Sequence, residues 1–332
     1  MKIKVLVAGF GFMGQTHAGS LLKMPDVKLA GIIDPADLAE RLTVITGNCA
    51  TERITREELA DIPHFRTLDE ALENTDADAA IIALPTKLHH DAVIKCLDAG
   101  LHVFVEKPLA VSLAEGENMV KTADRNEKML ATGYVVRRMK EYMFLKETID
   151  SGRLGKLQYL KMSRITGVPA WGNWSDPEFI RTSGGALFDL LSHDIDFACS
   201  CLGEPQRIES VKTPGNPQSQ MISAFLHFRD ADVSVEGGFI TPSTFPFSCT
   251  FTACFENGTL NRTLPGKVTE YLKDKIVEHD FLPDNPYFTE LENFINCLKN
   301  NTPEKLFCPG SDAYNTILRC HEIARAIGYP LP

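Results

Sequence analysis

The chain has 332 residues, too many for one ordinary core, so two domains are expected, and 44% apolar residues suffice to build both. With 34 Lys and Arg against 44 Asp and Glu the net charge is -10 and no basic cluster appears, which argues against nucleic acid or an anionic membrane as partner and points to a small molecule. Nine cysteines, from Cys49 to Cys320 without a Cys-x-x-Cys pair, read as reduced thiols of a cytoplasmic protein. Met1 to Ala8 places a basic flank before a short apolar run, but that run ends in glycines and reads as a first strand rather than a leader. No later window approaches the roughly eighteen apolar residues that a membrane span needs.

Apolar runs at 3–8, 27–33, 79–84, 102–105 and 129–134 predict strands, and helical patterns fit between them at 16–23, 36–46, 88–99 and 113–126. Such a βαβ series implies a parallel, doubly wound sheet. Gly9-x-Gly11-x-x-Gly14, with Phe12 and Met13 inside it, follows the first strand at once and opens a helix. Gly9 permits the tight turn, Gly11 the approach of a pyrophosphate, and Gly14 the close packing of helix on strand. Asp34 stands twenty residues past Gly14, at the end of the second strand. A carboxylate there accepts hydrogen bonds from ribose hydroxyls and repels a 2'-phosphate, so NAD is expected rather than NADP. The same aspartate, followed by Pro35, could instead cap the helix beginning at Ala36.

Leu101 to Val105 reads as a buried strand that delivers Glu106, Lys107 and Pro108 at its carboxyl end, where open α/β sheets bind ligands. His89 and His90 open the helix at 88–99, where a plain helix start competes with a cofactor role.

Beyond about residue 136 the rhythm changes, which separates a dinucleotide-binding domain over 1–133 from a substrate and assembly domain over 134–332. A helix over 141–149 stops at Ser151-Gly152, a strand follows over 157–165, and a loop rich in Pro, Gly, Trp and Ser runs from Thr166 to Ser183. A helix is predicted over 186–201, then strands at 222–228, 233–238, 248–255 and 259–262 whose short connections favour antiparallel pairing. Helical patterns at 287–299 and 312–326 close the chain. If the segment from Ala186 is helical, Asp189, His193 and Asp196 share one face, and a histidine beside a carboxylate suits proton transfer. An ordinary capped helix with a surface Asp to His pair is the alternative. Cys199-x-Cys201 nearby fits no common zinc spacing, so no metal is expected.

A nicotinamide site needs an acid/base neighbour, because hydride leaves a carbinol carbon only as the hydroxyl proton is removed. Lys107 and His193 could meet that need. The chain resembles the family that includes glucose-fructose oxidoreductase and the inositol dehydrogenases (Gfo/Idh/MocA). The resemblance rests on Gly9 to Gly14 with His17, on Leu84-Pro85-Thr86-x-x-His89, on Glu106-Lys107-Pro108, on Tyr134 to Arg138, and on Gly184-Gly185-x-Leu187-x-Asp189-x-x-x-His193-x-x-Asp196. Thr86 departs from it, since the family usually has Asn there.

The resemblance implies an N-terminal Rossmann domain and an α+β C-terminal domain with a large open, mostly antiparallel sheet, often buried in a homodimer or homotetramer. It implies that Lys107 and His193 contact the reacting hydroxyl of a polyol or sugar, and that the bond before Pro108 is cis. His193 would take the hydroxyl proton, Lys107 would hold the developing oxyanion, and Asp189 would orient substrate or ring. Arg138, Arg164, Trp171, Asn173 and Trp174 are candidates to line the pocket, with loop packing as the alternative for the tryptophans. Two rivals use the same framework: a glycosidase that oxidises its sugar transiently with bound NAD, and a regulator that senses dinucleotide or sugar without turnover.

Overall fold

The structure is a computed structural model describing residues 2–44, 54–168, 176–214 and 220–331, the side chains of Thr43, Val44 and Arg181 excepted. Two compact units emerge from its contacts, Met1–Tyr134 with Tyr287–Tyr314 and Val135–Pro286 with Asn315–Pro332. Where the change of rhythm suggests one break at 133/134, long-range packing also draws Tyr287–Tyr314 into the first unit.

In the first unit the order is β1 Ile3–Ala8, α1 Phe12–Leu22, β2 Val27–Ile33, α2 Leu38–Val44, α3 Arg56–Leu59, β3 His64–Phe65, α4 Leu68–Asn74, β4 Ala79–Ile82, α5 His89–Asp98, β5 His102–Glu106, α6 Leu113–Arg125 and β6 Leu130–Gly133. The strands form one parallel sheet in the order β3-β2-β1-β4-β5-β6. Val5, Leu6, Val7, Ile81, Ile82, Val103 and Phe104 are fully buried, as expected for strands covered on both faces. Thr55, Thr67 and Ser112 cap α3, α4 and α6 by accepting an amide hydrogen with their hydroxyls.

The second unit holds α7 Lys140–Ser151, β7 Leu157–Thr166, α8 Pro177–Thr182, a π-helical turn Leu187–Leu191 and α9 Ser192–Leu202. There follow β8 Arg207–Lys212, β9 Met221–His227, β10 Asp232–Phe239, β11 Ser248–Phe255, β12 Gly258–Arg262, β13 Lys267–Tyr271 and β14 Ile276–Asp280. They make an eight-stranded sheet in the order β14-β13-β12-β11-β7-β10-β9-β8. Every neighbouring pair is antiparallel except β7 with β10, which runs parallel from Tyr159↔Asp232 to Thr166↔Phe239. One sheet face is core: Leu160, Met162, Ile222, Ala224, Leu226, Val233, Val235, Ala253, Leu260 and Val268 are all at most 1% exposed. The alternate residues carry Ser, Thr and Lys together with Tyr159, Val211, Phe225, Tyr271 and Ile276.

Two further helices complete the chain, α10 Pro286–Asn300 and α11 Gly310–Ile327. α10 packs Leu291, Phe294, Ile295 and Cys297 into the core of the first unit. Among the described residues no helix is long and apolar enough to cross a membrane, and the eight cysteines form no disulfide.

Candidate active site

In the first unit, loops leave the carboxyl ends of β1, β4 and β5, around the point where strand order reverses between β1 and β4. The chain turns after β1 at Gly9, with φ +91°. A Cβ at Gly9 would stand 2.5 Å from the Ala83 carbonyl oxygen, and one at Gly14 would stand 1.9 Å from the Gly9 carbonyl oxygen, so both positions demand glycine. At Gly11 a Cβ would meet nothing within 4 Å. Gly11 is also the N-cap of α1 and carries no side chain to bond the first amides of that helix. The result is an open cradle at a helix N-terminus, where amides and dipole suit a pyrophosphate. Phe12 and Met13, half-buried, form the first turn of α1.

Asp34, 5% exposed, stands just past β2. Its Oδ2 accepts the Phe10 amide at 2.9 Å and its Oδ1 the Ala36 amide at 2.9 Å, with Arg41 Nε 3.4 Å from Oδ1. The carboxylate therefore joins the glycine loop to the end of β2, and each oxygen keeps acceptor capacity for a hydroxyl. Capping of α2 falls instead to Asp37, whose Oδ1 accepts from Ala39 and Glu40 at 2.9 and 3.2 Å. The helix predicted from Ala36 begins two residues later for that reason, and its predicted end at 46 lies outside the described residues.

Leu84 and Pro85 lead into a tight 3-10 turn, Thr86–Leu88. His89 is 1% exposed and faces two carbonyl oxygens, Leu84 through Nε2 at 2.9 Å and Pro108 through Nδ1 at 3.0 Å. It ties the loop after β4 to the loop after β5. Burial holds its pKa below the ordinary value, although both carbonyls and the Glu106 carboxylate favour the charged ring. Glu106 ends β5; its Oε1 lies 2.6 Å from His17 Nε2, and its Oε2 accepts the Lys107 amide at 3.2 Å. Lys107 is half-buried at the strand end, and the Lys107–Pro108 bond is cis, as the resemblance implies.

In the second unit, Gly184 and Gly185 at φ +79° and +58° lead into the π-helical turn. A Cβ on Gly185 would come within 2.2 Å of the Tyr329 hydroxyl, which lies against the amides of Ala186 and Leu187; burial first of all pushes that phenol up to about 12. The Ser192 amide reaches back five residues to the Leu187 carbonyl, so the predicted single helix over 186–201 begins with a wider turn, a device often found at functional sites. Asp189 on this turn is half-buried, and His193 in the first turn of α9 is 8% exposed. Asp196, expected on their face, is fully buried: Arg137 Nε and Nη2 each donate to it at 2.7 Å and the Thr316 hydroxyl donates at 3.1 Å.

Arg164, expected in the pocket, is 3% exposed and bidentate with Asp194, at 3.1 and 2.8 Å. Burial opposes its charge, but the Asp194 carboxylate holds its pKa above the ordinary value. Arg138 is half-buried, with Nε lacking a hydrogen-bond partner among the described residues. Trp171, Asn173 and Trp174 lie outside the described residues. Sequence reasoning passed over Asp194, Tyr329 and Glu290. Glu290 had a signal: it is the one charge on the buried stripe Glu290, Leu291, Phe294, Ile295 and Cys297 of α10.

Residues 3–134 match the family described as "Oxidoreductase family, NAD-binding Rossmann fold", and residues 142–261 match the "GFO/IDH/MocA C-terminal domain". The myo-inositol 2-dehydrogenase of Thermotoga maritima is 29% identical over 214 residues, 64% of this chain and 58% of that protein, so the matched region spans less than two thirds of that relative. The NAD(+)-dependent scyllo-inositol 2-dehydrogenase of Bacillus subtilis is 29% identical over 317 residues, 90% of this chain and 87% of its own length. An NADP(+)-dependent scyllo-inositol 2-dehydrogenase of the same organism is 25% identical over 248 residues, 74% of this chain and 65% of that one. A dehydrogenase structure from Chromobacterium violaceum shares the fold with a TM-score of 0.84 at 20% identity, covering 99% of this chain and 96% of that one. With both halves matched, the glycine cradle in the first and the mixed sheet in the second, the chain belongs to the Gfo/Idh/MocA family of NAD-binding oxidoreductases.

Proposed function

We propose that this protein is a dehydrogenase that oxidises a secondary hydroxyl of an inositol, sugar or related polyol, with NAD preferred over NADP. The observation that carries the reading is Lys107 at the carboxyl end of β5, in the same unit as the open cradle at Gly11. Gly9, Gly11, Phe12, Met13 and Gly14 would hold the pyrophosphate, Asp34 the adenosine ribose, and Leu84, Pro85, Thr86, Glu106 and Lys107 the edge nearer the nicotinamide. When bound, the nicotinamide supplies the hydride acceptor. The ammonium of Lys107 would donate a hydrogen bond to the reacting oxygen and stabilise its developing charge. His193 would accept the hydroxyl proton, and Asp189 would orient substrate. Each role is assigned residue by residue from the family pattern and is tested separately.

NAD preference is supported by Asp34, whose carboxylate disfavours a 2'-phosphate, while Arg41 at 3.4 Å offsets part of that repulsion. Assembly into a homodimer or homotetramer is supported by the open sheet face, where Val211 is 67%, Ile276 64%, Tyr271 42% and Phe225 40% exposed. The absence of disulfides among the described cysteines supports a reducing, cytoplasmic setting. The test is a panel of inositols, sugars and sugar acids, offered with NAD and then NADP, following absorbance of the reduced cofactor. Turnover of at least one polyol with NAD is expected; glycoside cleavage without net reduced cofactor would point to the rival glycosidase.

A further inference from the structure

The first unit buries a cluster of titratable groups of which the proposed function uses only Glu106. His17 of α1 and Glu290 of α10 are fully buried and Glu106 of β5 is 8% exposed, and one ligand-type atom from each lies within 4.8 Å of the others. Apolar rings surround them: the His17 ring meets Phe104 edge-on at 5.5 Å and Tyr287 at 6.5 Å, and Phe104 packs on Phe294 at 5.9 Å. On the remaining side, Gly133 leaves room, since a Cβ there would stand 3.4 Å from the Glu106 carboxyl carbon.

Two carboxyl groups and an imidazole in such surroundings lose most of their hydration, and a well-packed apolar set of similar volume is often as stable or more so. Stability alone therefore gives little reason for the cluster. A metal ion is a poor explanation as well. Two nitrogen and oxygen ligands at about 2.0–2.1 Å from a tetrahedral ion stand more than 3 Å apart, whereas His17 Nε2 and Glu106 Oε1 are 2.6 Å apart, the separation of a charge-assisted hydrogen bond.

What the cluster does hold is Glu106, and Glu106 in turn accepts the backbone amide of Lys107. The flank after Lys107 is fixed independently, by His89 on the Pro108 carbonyl. We infer that His17 is a positioning residue for the proposed hydride transfer: acting through its bond to Glu106, it sets the backbone from which Lys107 presents its ammonium group and links that backbone to the cofactor helix α1, while Glu290, within 4.8 Å, acts on that bond electrostatically. The inference rests on the dehydrogenase reading of Lys107. Polar contacts are directional where apolar packing is not, which accounts for charges in a place where apolar side chains would fold as well.

The experiment compares the wild-type protein with Glu290→Gln, which keeps shape but removes charge, and with His17→Gln. Measured for each are the melting temperature, the Kd for NAD, kcat and KM on the best substrate of the panel, and the pH profile of Lys107 acylation by an anhydride, read by peptide mass spectrometry. Expected are a melting temperature within a few degrees, NAD affinity within about threefold, kcat lower by about ten- to a hundredfold with KM little changed, and an altered acylation profile at Lys107. Wild-type kcat together with an unchanged acylation profile in both variants overturns the inference, as does stoichiometric metal in the purified protein that chelation removes with loss of Lys107 protection. Should Glu290→Gln not fold, Glu290→Met and His17→Gln carry the same comparison. If no polyol turns over in the wild type, the dehydrogenase reading fails, while the acylation profile still decides whether the cluster positions Lys107.

Discussion

At the residue scale, Asp34 shows how a single carboxylate comes to have more than one duty. The sequence offers it two roles, ribose acceptor or helix cap. Asp37 takes the cap, while Asp34 accepts the amides of Phe10 and Ala36 and keeps lone pairs to spare. Substituting Asp34→Ser removes the repulsion toward a 2'-phosphate while Arg41 remains beside the position. The ratio of kcat/KM for NAD over NADP is expected to fall by about tenfold or more; an unchanged ratio counts against Asp34 as the discriminating residue. Other residue assignments were less legible. Arg164 sits on a predicted strand beside a loop rich in Trp, which favours a pocket, yet its partner Asp194 is thirty positions away and only tertiary folding brings them together. Asp196 likewise answers to Arg137 and Thr316, both far from it in the chain.

At the scale of elements, the cradle was readable because glycine carries its meaning locally. The Gly9 turn and the contact between Gly14 and the Gly9 carbonyl allow no side chain, and the spacing alone announces both. Gly14→Ala places a methyl group 1.9 Å from that carbonyl oxygen and must push α1 off β1. NAD affinity measured by calorimetry is expected to fall by about a hundredfold or more, with a lower melting temperature; wild-type affinity would contradict the close approach. The π-helical turn was not readable in the same way. It starts from left-handed Gly184 and Gly185, the second of them against the Tyr329 hydroxyl, and Leu191 passes over Gly237, where a Cβ would stand 2.8 Å from it. Those contacts come from residues more than forty positions away. The strands β8, β13 and β14 escaped notice because Arg-Ile-Glu-Ser-Val-Lys, Lys-Val-Thr-Glu-Tyr and Ile-Val-Glu-His-Asp mix polar residues into both faces at or near the sheet edges.

At the scale of the whole molecule, the alternation of strands and helices up to residue 133 announced the parallel sheet, and the short connections after 222 announced a mostly antiparallel one. The parallel β7 with β10 pairing inside it and the return of α10 to the first unit depend on contacts distant in sequence, which no local pattern carries. Global stability should carry the mark of one buried imidazole, His89, and one half-buried, His102. Burial depresses the pKa of His89, and burial together with Lys128 depresses that of His102. Because the folded values lie below the ordinary 6.5, the unfolded chain takes up protons first as pH falls. Stability from these groups is thus fully present above about pH 7 and declines as pH drops through about 6.5 toward the folded values, by up to about 1.4 kcal/mol per pH unit for His89 and by less for the solvent-screened His102. Chemical denaturation between about pH 7.5 and 5.5 checks the slope, and His89→Gln should flatten it; stability that rises on acidification in this window contradicts the assignment.

The central claim is that a lysine delivered at the carboxyl end of β5 serves the transfer of hydride from a polyol. The most direct test sets wild type beside Lys107→Ala in the polyol panel, with reduced-cofactor absorbance for turnover and calorimetry for NAD. Turnover should fall by about a hundredfold or more while the Kd for NAD stays within about threefold; full activity in the variant, or a loss of NAD binding that accounts for the whole effect, would contradict the role given to Lys107.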